Sequence, residues 1–183
     1  MACHDEFDAS AGFPPIARKD ARVLILGSLP SQASLAAAEY YAHPQNAFWK
    51  IMRELTGADG SYAERCKSLR AAGVAVWDVL ARSVRPGSMD ADIRLESAIP
   101  NDFATFLSAH KGLRLVCFNG RKSEQMFRKF VGLQDAEAGL RFELLPSSSP
   151  AYAAMSFAEK LHTWRGIIEP DISGGDWRRA PLT

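Results

Sequence analysis

The sequence predicts an α/β fold: a three-layer α/β/α sandwich with a central, mostly parallel four-stranded sheet. Three observations carry this. Four short apolar runs are spaced along the chain, each closed by a turn signal. Segments with apolar residues at helical spacing lie between them. The chain has 183 residues, 47% of them hydrophobic, enough for one core, since a domain near this size buries about 70% of its extended-chain surface. Strands alternating with helices form βαβ units, and their parallel sheet needs a helical layer on each face.

The first strand is Arg22-Val-Leu-Ile-Leu26, ended by Gly27. A helix over 47–55 follows, with Phe48, Ile51, Met52 and Leu55 on one face. Gly73-Val-Ala-Val-Trp77 is the second strand and 101–108 the next helix. Leu113-Arg-Leu-Val-Cys-Phe118 is the third strand, followed by a helix over 123–130. Leu140-Arg-Phe-Glu-Leu-Leu145 is the fourth, ended by Pro146, and 157–168 is the last helix. The folded body is placed at 21–170, with a loosely held N-terminal extension over 1–20 and a C-terminal tail over 171–183. Within the extension, Phe13-Pro-Pro-Ile16 has the composition to pack on the body.

Composition excludes several function classes. Twenty-two basic residues against 21 acidic ones leave a formal charge of +1. A broad cationic field is therefore absent, and any nucleic-acid partner must be held by local features. Cys3, Cys66 and Cys117 are scattered and odd in number, which suits a reducing cytoplasm rather than a disulfide framework. No CxxC pair occurs and the four histidines are far apart, so the spacing supports no metal site. The longest aliphatic run, Val23 to Leu26, is far too short for a bilayer, and no membrane association is expected. The phosphate-loop, dinucleotide and serine-hydrolase signatures are missing. Cys117 lies inside an apolar strand and reads as inert core.

In an open parallel sheet, ligands bind at the carboxyl ends of the strands. Here those ends read Gly27-Ser-Leu-Pro-Ser31, Trp77-Asp78-Val79, Phe118-Asn119-Gly120 and Leu145-Pro-Ser-Ser-Ser-Pro150. Small, polar, mostly uncharged residues suit a site that reads a neutral ring and touches phosphates through amides and hydroxyls. The serine run is either an oxyanion cradle or a helix-capping loop. Asn119 offers one acceptor and two donors, enough to pair with two edge atoms of a base. Asn-Gly is equally a turn dipeptide. Tyr40-Tyr-Ala-His-Pro-Gln-Asn-Ala-Phe-Trp49 is the densest polar–aromatic patch. In it Phe48 and Trp49 read as core, and Asn46 as a helix cap that can neighbour a catalytic amide. Asp78 reads as a buried acid or a cap, with no sharper role.

The order of these motifs resembles the uracil-DNA glycosylase superfamily, and most of all its hypoxanthine-DNA (deoxyinosine) glycosylase branch. The likeness runs from about Phe13 to about Ile168. Gly27-Ser-Leu-Pro-Ser31 resembles the first superfamily motif, Tyr41-Ala-His-Pro-Gln-Asn-Ala-Phe-Trp49 its continuation, and Leu145-Pro-Ser-Ser-Ser-Pro150 the second motif. Many relatives carry a catalytic Asn or Asp immediately after the first glycine, where this chain has Ser28. The hypoxanthine branch shares that loss and assigns the catalytic amide to the position of Asn46. Relatives most active on uracil have a histidine where this chain has Leu145.

The resemblance implies a monofunctional, cofactor-free glycosylase that flips a deaminated base, expected to be hypoxanthine, out of double- or single-stranded DNA and hydrolyses its bond to the sugar. It is expected to be a cytoplasmic monomer. Asn46 is the implied catalytic residue. Gly27, Ser28, Tyr41, His43 and Asn119 are implied for the base, with Tyr41 stacking on the purine and Asn119 reading its O6/N1–H edge. Ser31, Ser147, Ser148, Ser149, Arg121 and Lys122 are implied for the DNA backbone. Other readings are excision of uracil, mismatched thymine or alkylated purine, and a catalytically silent DNA- or nucleotide-binding module.

Overall fold

The structure, a computed structural model, describes residues 9–87, 89–132 and 139–172. In chain order its elements are β1 (Ala9–Ala11), β2 (Val23–Gly27), α1 (Gln32–Ala37), α2 (Phe48–Thr56), α3 (Tyr62–Ala71), β3 (Val74–Asp78), β4 (Leu80–Val84), β5 (Ile99–Pro100), α4 (Phe103–Ala109), β6 (Leu115–Asn119), α5 (Arg121–Phe130), β7 (Arg141–Leu145) and α6 (Phe157–Ile172).

The four predicted strands form one parallel sheet in the order β3-β2-β6-β7. Its central strands carry side chains to two apolar layers, because strand residues alternate faces. Val23, Ile25, Val76 and Cys117 meet Phe48, Leu55, Leu69 and Trp164, from α2, α3 and α6. Leu24, Leu26, Trp77 and Phe118 meet Phe103, Phe106 and Phe127, from α4 and α5. The three-layer α/β/α sandwich follows. The chain leaves β2 over the first face and β6 over the second, so their carboxyl ends diverge and open a crevice between them.

Two features exceed the expectation. β1, β4 and β5 make a small antiparallel sheet, and α1 and α3 add two helices. From Ala9 on, the segment expected to be loosely held lies on the body: β1 pairs with β4, and buried Ile16 exchanges two backbone hydrogen bonds of 2.8 and 2.9 Å with Val76. Of the expected tail, Asp171 and Ile172 finish α6; residues 173–183 lie outside the described residues.

Candidate active site

A cleft of about 320 Å³ opens at the carboxyl ends of the parallel strands. That is within the size range of ligand pockets, about 300–1,000 Å³. Gly27, Ser28 and Ser31 line it from the loop after β2, Tyr41 and Asn46 from the loop before α2, Asp78 from β3 and Asn119 from β6. Ser147, Ser148 and Ser149 complete it from the loop after β7.

The loop before α2 is mounted rigidly. The Tyr40 hydroxyl lies 3.1 and 3.2 Å from the carbonyls of Phe13 and Pro14. Trp49 Nε1 donates to the Tyr40 carbonyl at 2.7 Å, and the Tyr40 amide donates to the Tyr62 hydroxyl at 3.1 Å. Burial raises the pKa of the Tyr40 phenol well above the usual range, helped by the negative charge of Asp78, and pushes that of Tyr62 up to about 12. Both stay neutral partners. Between these anchors Tyr41 adopts φ +54°, a left-handed conformation that costs a bulky residue about 1–3 kcal/mol and clusters at functional sites. Its ring stacks on Phe48 with centroids 4.0 Å apart. One face is thereby taken, so a base can stack only on the other.

Asn46 is half-buried on the cleft wall. The N-cap of α2 is Ala47, without a side-chain cap bond, which corrects the expected cap: Asn46 Oδ1 instead accepts the Phe48 amide at 2.9 Å in a turn leading into the helix, and Asn46 also lines the cavity.

Asn119 sits at the end of β6. Its Oδ1 accepts the Ser148 amide and its Nδ2 donates to the Ser148 hydroxyl, both at 2.8 Å. A backbone N–H can only donate, so the oxygen and nitrogen of this amide are assigned by the network. The two bonds occupy the end-on edge through which a carboxamide pairs with two adjacent atoms. This corrects the expectation that Asn119 reads O6 and N1–H together: the remaining N–H and the remaining lone pair point to opposite sides of the amide.

The serines divide likewise. Ser148 is buried, and its carbonyl accepts the Ala47 amide at 2.9 Å. It is a brace between the loop before α2 and β6, which corrects its expected phosphate contact. Ser147 and Ser149 are half-exposed. Their hydroxyls accept the amides two residues on, each at 3.2 Å, leaving the hydroxyl protons to donate. Ser31 caps α1, accepting the Ser34 amide at 3.2 Å. Ser28 is buried on the cleft floor.

Three expected residues lie off the lining. His43 is exposed, its Nδ1 accepting the Gln45 amide at 3.2 Å. Arg121 and Lys122 open α5, outside the cleft.

Sequence reasoning assigned no role to the two charged residues of the lining, Asp78 and Arg85. Asp78 is buried, and a Cβ on Gly27 would lie 2.3 Å from its Oδ1. The glycine therefore leaves room for the carboxylate. Arg85 is buried and donates to the Pro30 carbonyl. Asp78 was visible as the residue that ends its strand, as Gly27 and Asn119 end theirs. Nothing near Arg85 in the sequence marked it.

Fold and cleft together define a class: a doubly covered parallel sheet whose crevice, walled by an aromatic ring, carboxamides and hydroxyls, fits a flat polar ring. The model of the Uracil DNA glycosylase superfamily matches residues 14–168, and the chain belongs to that superfamily. It is 36% identical over 160 residues to a hypoxanthine DNA glycosylase of Methanosarcina acetivorans, covering 86% of this chain and 96% of the relative. A hypoxanthine DNA glycosylase of Methanosarcina barkeri is also 36% identical, over 115 residues, 61% of this chain and 72% of the relative. The fold matches a solution NMR structure of a Methanosarcina acetivorans protein described under the name uracil DNA glycosylase, with TM-score 0.68, 33% identity, and coverage of 87% of this chain and 98% of that one.

Proposed function

We propose that this protein is a DNA glycosylase that removes hypoxanthine from deoxyinosine. The observation that carries the reading is Asn46: a carboxamide on the wall of a ring-sized cleft, beside the Tyr41–Phe48 stack. Two relatives named for hypoxanthine support it.

The base must leave the duplex, at a cost of a few kcal/mol that falls when it is mispaired. Inside the cleft the face of Tyr41 turned away from Phe48 stacks on it. The remaining Asn119 N–H donates to O6, where adenine would present an amino group. A mismatch with a buried polar group can enforce about 10⁴-fold discrimination. The N9–C1′ bond then breaks with its electron pair going to the base. The oxygen of a water forms the new bond to C1′, and the proton it loses ends on the base or in solvent. A neutral amide is a poor base, so Asn46 acts by orienting that water and by hydrogen bonding as charge develops. The reaction as written needs no cofactor.

Ser147, Ser149 and Ser31 are the proposed backbone contacts, with Arg121 and Lys122 adding local charge. Affinity should then depend weakly on salt, since each neutralised phosphate contributes only about −0.9 to the slope of log K against log salt. The reading includes a monomer in the cytoplasm acting on double- or single-stranded DNA; the buried free thiols of Cys66 and Cys117 suit a reducing compartment.

The test is base release from labelled single and double strands carrying deoxyinosine, deoxyuridine, a G·T mismatch or an alkylated adenine. Release of hypoxanthine well ahead of the others is expected. Release led by another base would reassign the substrate, and binding without release would favour a silent module.

A further inference from the structure

The backbone around Tyr41 shows how its ring is set. The φ of +54° lies in a region that a bulky residue keeps only where its surroundings over-determine it. φ and ψ are rotations between the two planar peptide groups that meet at a residue, so both are fixed once both groups are held. Each is held here by a side chain. Before Tyr41, the Trp49 indole donates to the Tyr40 carbonyl at 2.7 Å. After it, the Ser34 hydroxyl accepts the Ala42 amide at 3.2 Å.

The two holds differ in what else they do. Trp49 is part of the core and packs edge-on against Phe48 and Tyr62. Ser34, in α1, is only 2% exposed and lines the cleft. Its hydroxyl also lies 3.1 Å from that of Ser31, and its carbonyl accepts the Glu39 amide at 3.1 Å. Residues 39 and 42, on either side of Tyr40 and Tyr41, are thus both bonded to Ser34. Alanine at this position would offer the Ala42 amide no side-chain acceptor. The peptide between Tyr41 and Ala42 would then be free to turn. Tyr41 would relax toward negative φ, and its ring would lose its setting on Phe48.

We propose that Ser34 is a positioning residue for base stacking: through its bond to the Ala42 amide it keeps the Tyr41 ring where the face turned away from Phe48 meets the flipped base. This rests on the proposed removal of hypoxanthine and names the group that sets the stacking surface. Ser34 acts through Tyr41 and reads nothing of the base itself. Its effect therefore exists only while the Tyr41 ring is present, which separates it from a general loss of packing around α1.

The test is a double-mutant cycle read by binding. The full chain is titrated with two oligonucleotides, one carrying a cleavage-resistant, 2′-fluorinated deoxyinosine and one a tetrahydrofuran abasic analogue at the same place. The ratio of the two affinities reads what the base adds, and a general loss of grip cancels from it. Wild type should favour the base by about tenfold or more, the worth of one base–aromatic stack. Tyr41→Ala and Ser34→Ala should each bring the ratio to within about threefold of unity, and the double variant should fall no further. Ser34→Thr and Ser34→Val, nearly equal in shape, repeat the comparison with and without the hydroxyl. The first should keep the preference and the second lose it. A wild-type ratio in Ser34→Ala, losses that multiply in the double variant, equal ratios in the Thr and Val variants, or no preference in wild type overturns the proposal. If the cycle behaves as expected yet wild type releases no base from ordinary deoxyinosine, the glycosylase reading fails while the role of Ser34 stands.

Discussion

The Asn119 carboxamide and Ser148 exchange two hydrogen bonds of equal length, 2.8 Å, and the Ser148 carbonyl continues the link to the Ala47 amide at 2.9 Å. One buried serine thus fixes a side chain at the end of β6 relative to the loop that carries Asn46. Asn119 and Asn46, two amides of the cleft wall, are held to a common brace, the kind of support a preorganised site requires.

Ser148→Ala removes the acceptor of Asn119 Nδ2 and keeps the backbone half of the exchange. A stability loss of about 1–2 kcal/mol is expected, with a buried donor left unpaired. The Asn119 amide becomes free to turn, so single-turnover base release should fall at least about tenfold while DNA affinity changes little. Ser147→Ala and Ser149→Ala should do the reverse, weakening DNA binding at nearly unchanged melting temperature. Thermal melts and binding titrations on the three variants, side by side, separate brace from backbone contact. A drop in affinity with Ser148→Ala as large as with its neighbours would return it to the phosphate role.

Asn46 has two duties that substitution can divide. Asn46→Ala loses the side-chain bond to the Phe48 amide, costing about 1 kcal/mol, and loses the carboxamide at the cleft. Asn46→Asp keeps an acceptor for the same amide and loses the N–H donors. Both should bind deoxyinosine DNA and release base about 10²–10³-fold more slowly in a single turnover. Asn46→Asp should hold the melting temperature nearer to wild type. Near-normal release by either variant would remove Asn46 from the chemistry.

The central sheet was legible because short continuous apolar runs closed by turn residues, alternating with helical stretches, are what buried parallel strands require. Runs such as Val23-Leu-Ile-Leu26 bury both faces, and only a parallel sheet covered twice accommodates that. What escaped has physical reasons. α3 buries little beyond Cys66 and Leu69, so its periodicity is weak. Its signal was instead the reciprocal cap of Ser61 and Glu64. β1 and β5 are 3 and 2 residues long, too short to show a period. Within the site, Asn46, Tyr41 and Asn119 were legible from motif order. The coupling of Asn119 to Ser148 was not, because it joins residues 29 apart in sequence. The place of Asp78 beside Gly27 was not legible either, because it depends on the register of two strands about 50 residues apart.

Gly27 is constrained by space rather than by backbone angle. A Cβ there would sit 2.3 Å from Asp78 Oδ1 and 3.0 Å from the Tyr41 hydroxyl. Gly27→Ala must therefore displace the carboxylate, the phenol or the strand end. Base release should fall at least about tenfold. The melting temperature should drop by no more than a few degrees, matching an overpacking cost of about 1–3 kcal/mol. Activity assays paired with calorimetry check this. Unchanged activity would mean that Asp78 and Tyr41 yield without consequence, and that their close approach to Gly27 has no role in shaping the cleft.

Stability should fall on the alkaline side. Burial raises the pKa of the Cys117 thiol, with Glu143 adding to it. Burial likewise raises that of Tyr40, with Asp78 adding, and brings Tyr62 up to about 12. In the unfolded chain these groups ionise near their ordinary values of 9.0 and 10.0. The folded state therefore holds more protons than the unfolded state above about pH 9, and stability declines as pH rises. Lys160 opposes this, because burial lowers its pKa and unfolding takes up a proton there. Burial raises the pKa of the Cys66 thiol as well, so it is one group against four and the net slope should remain negative. Denaturant midpoints at pH 7, 9 and 10.5 give the measurement. Tyr62→Phe should flatten part of the alkaline decline, since it removes one of the four titrating groups. A midpoint that stays level or rises to pH 10.5 would show that these buried phenols and thiols ionise as readily in the folded protein as outside it.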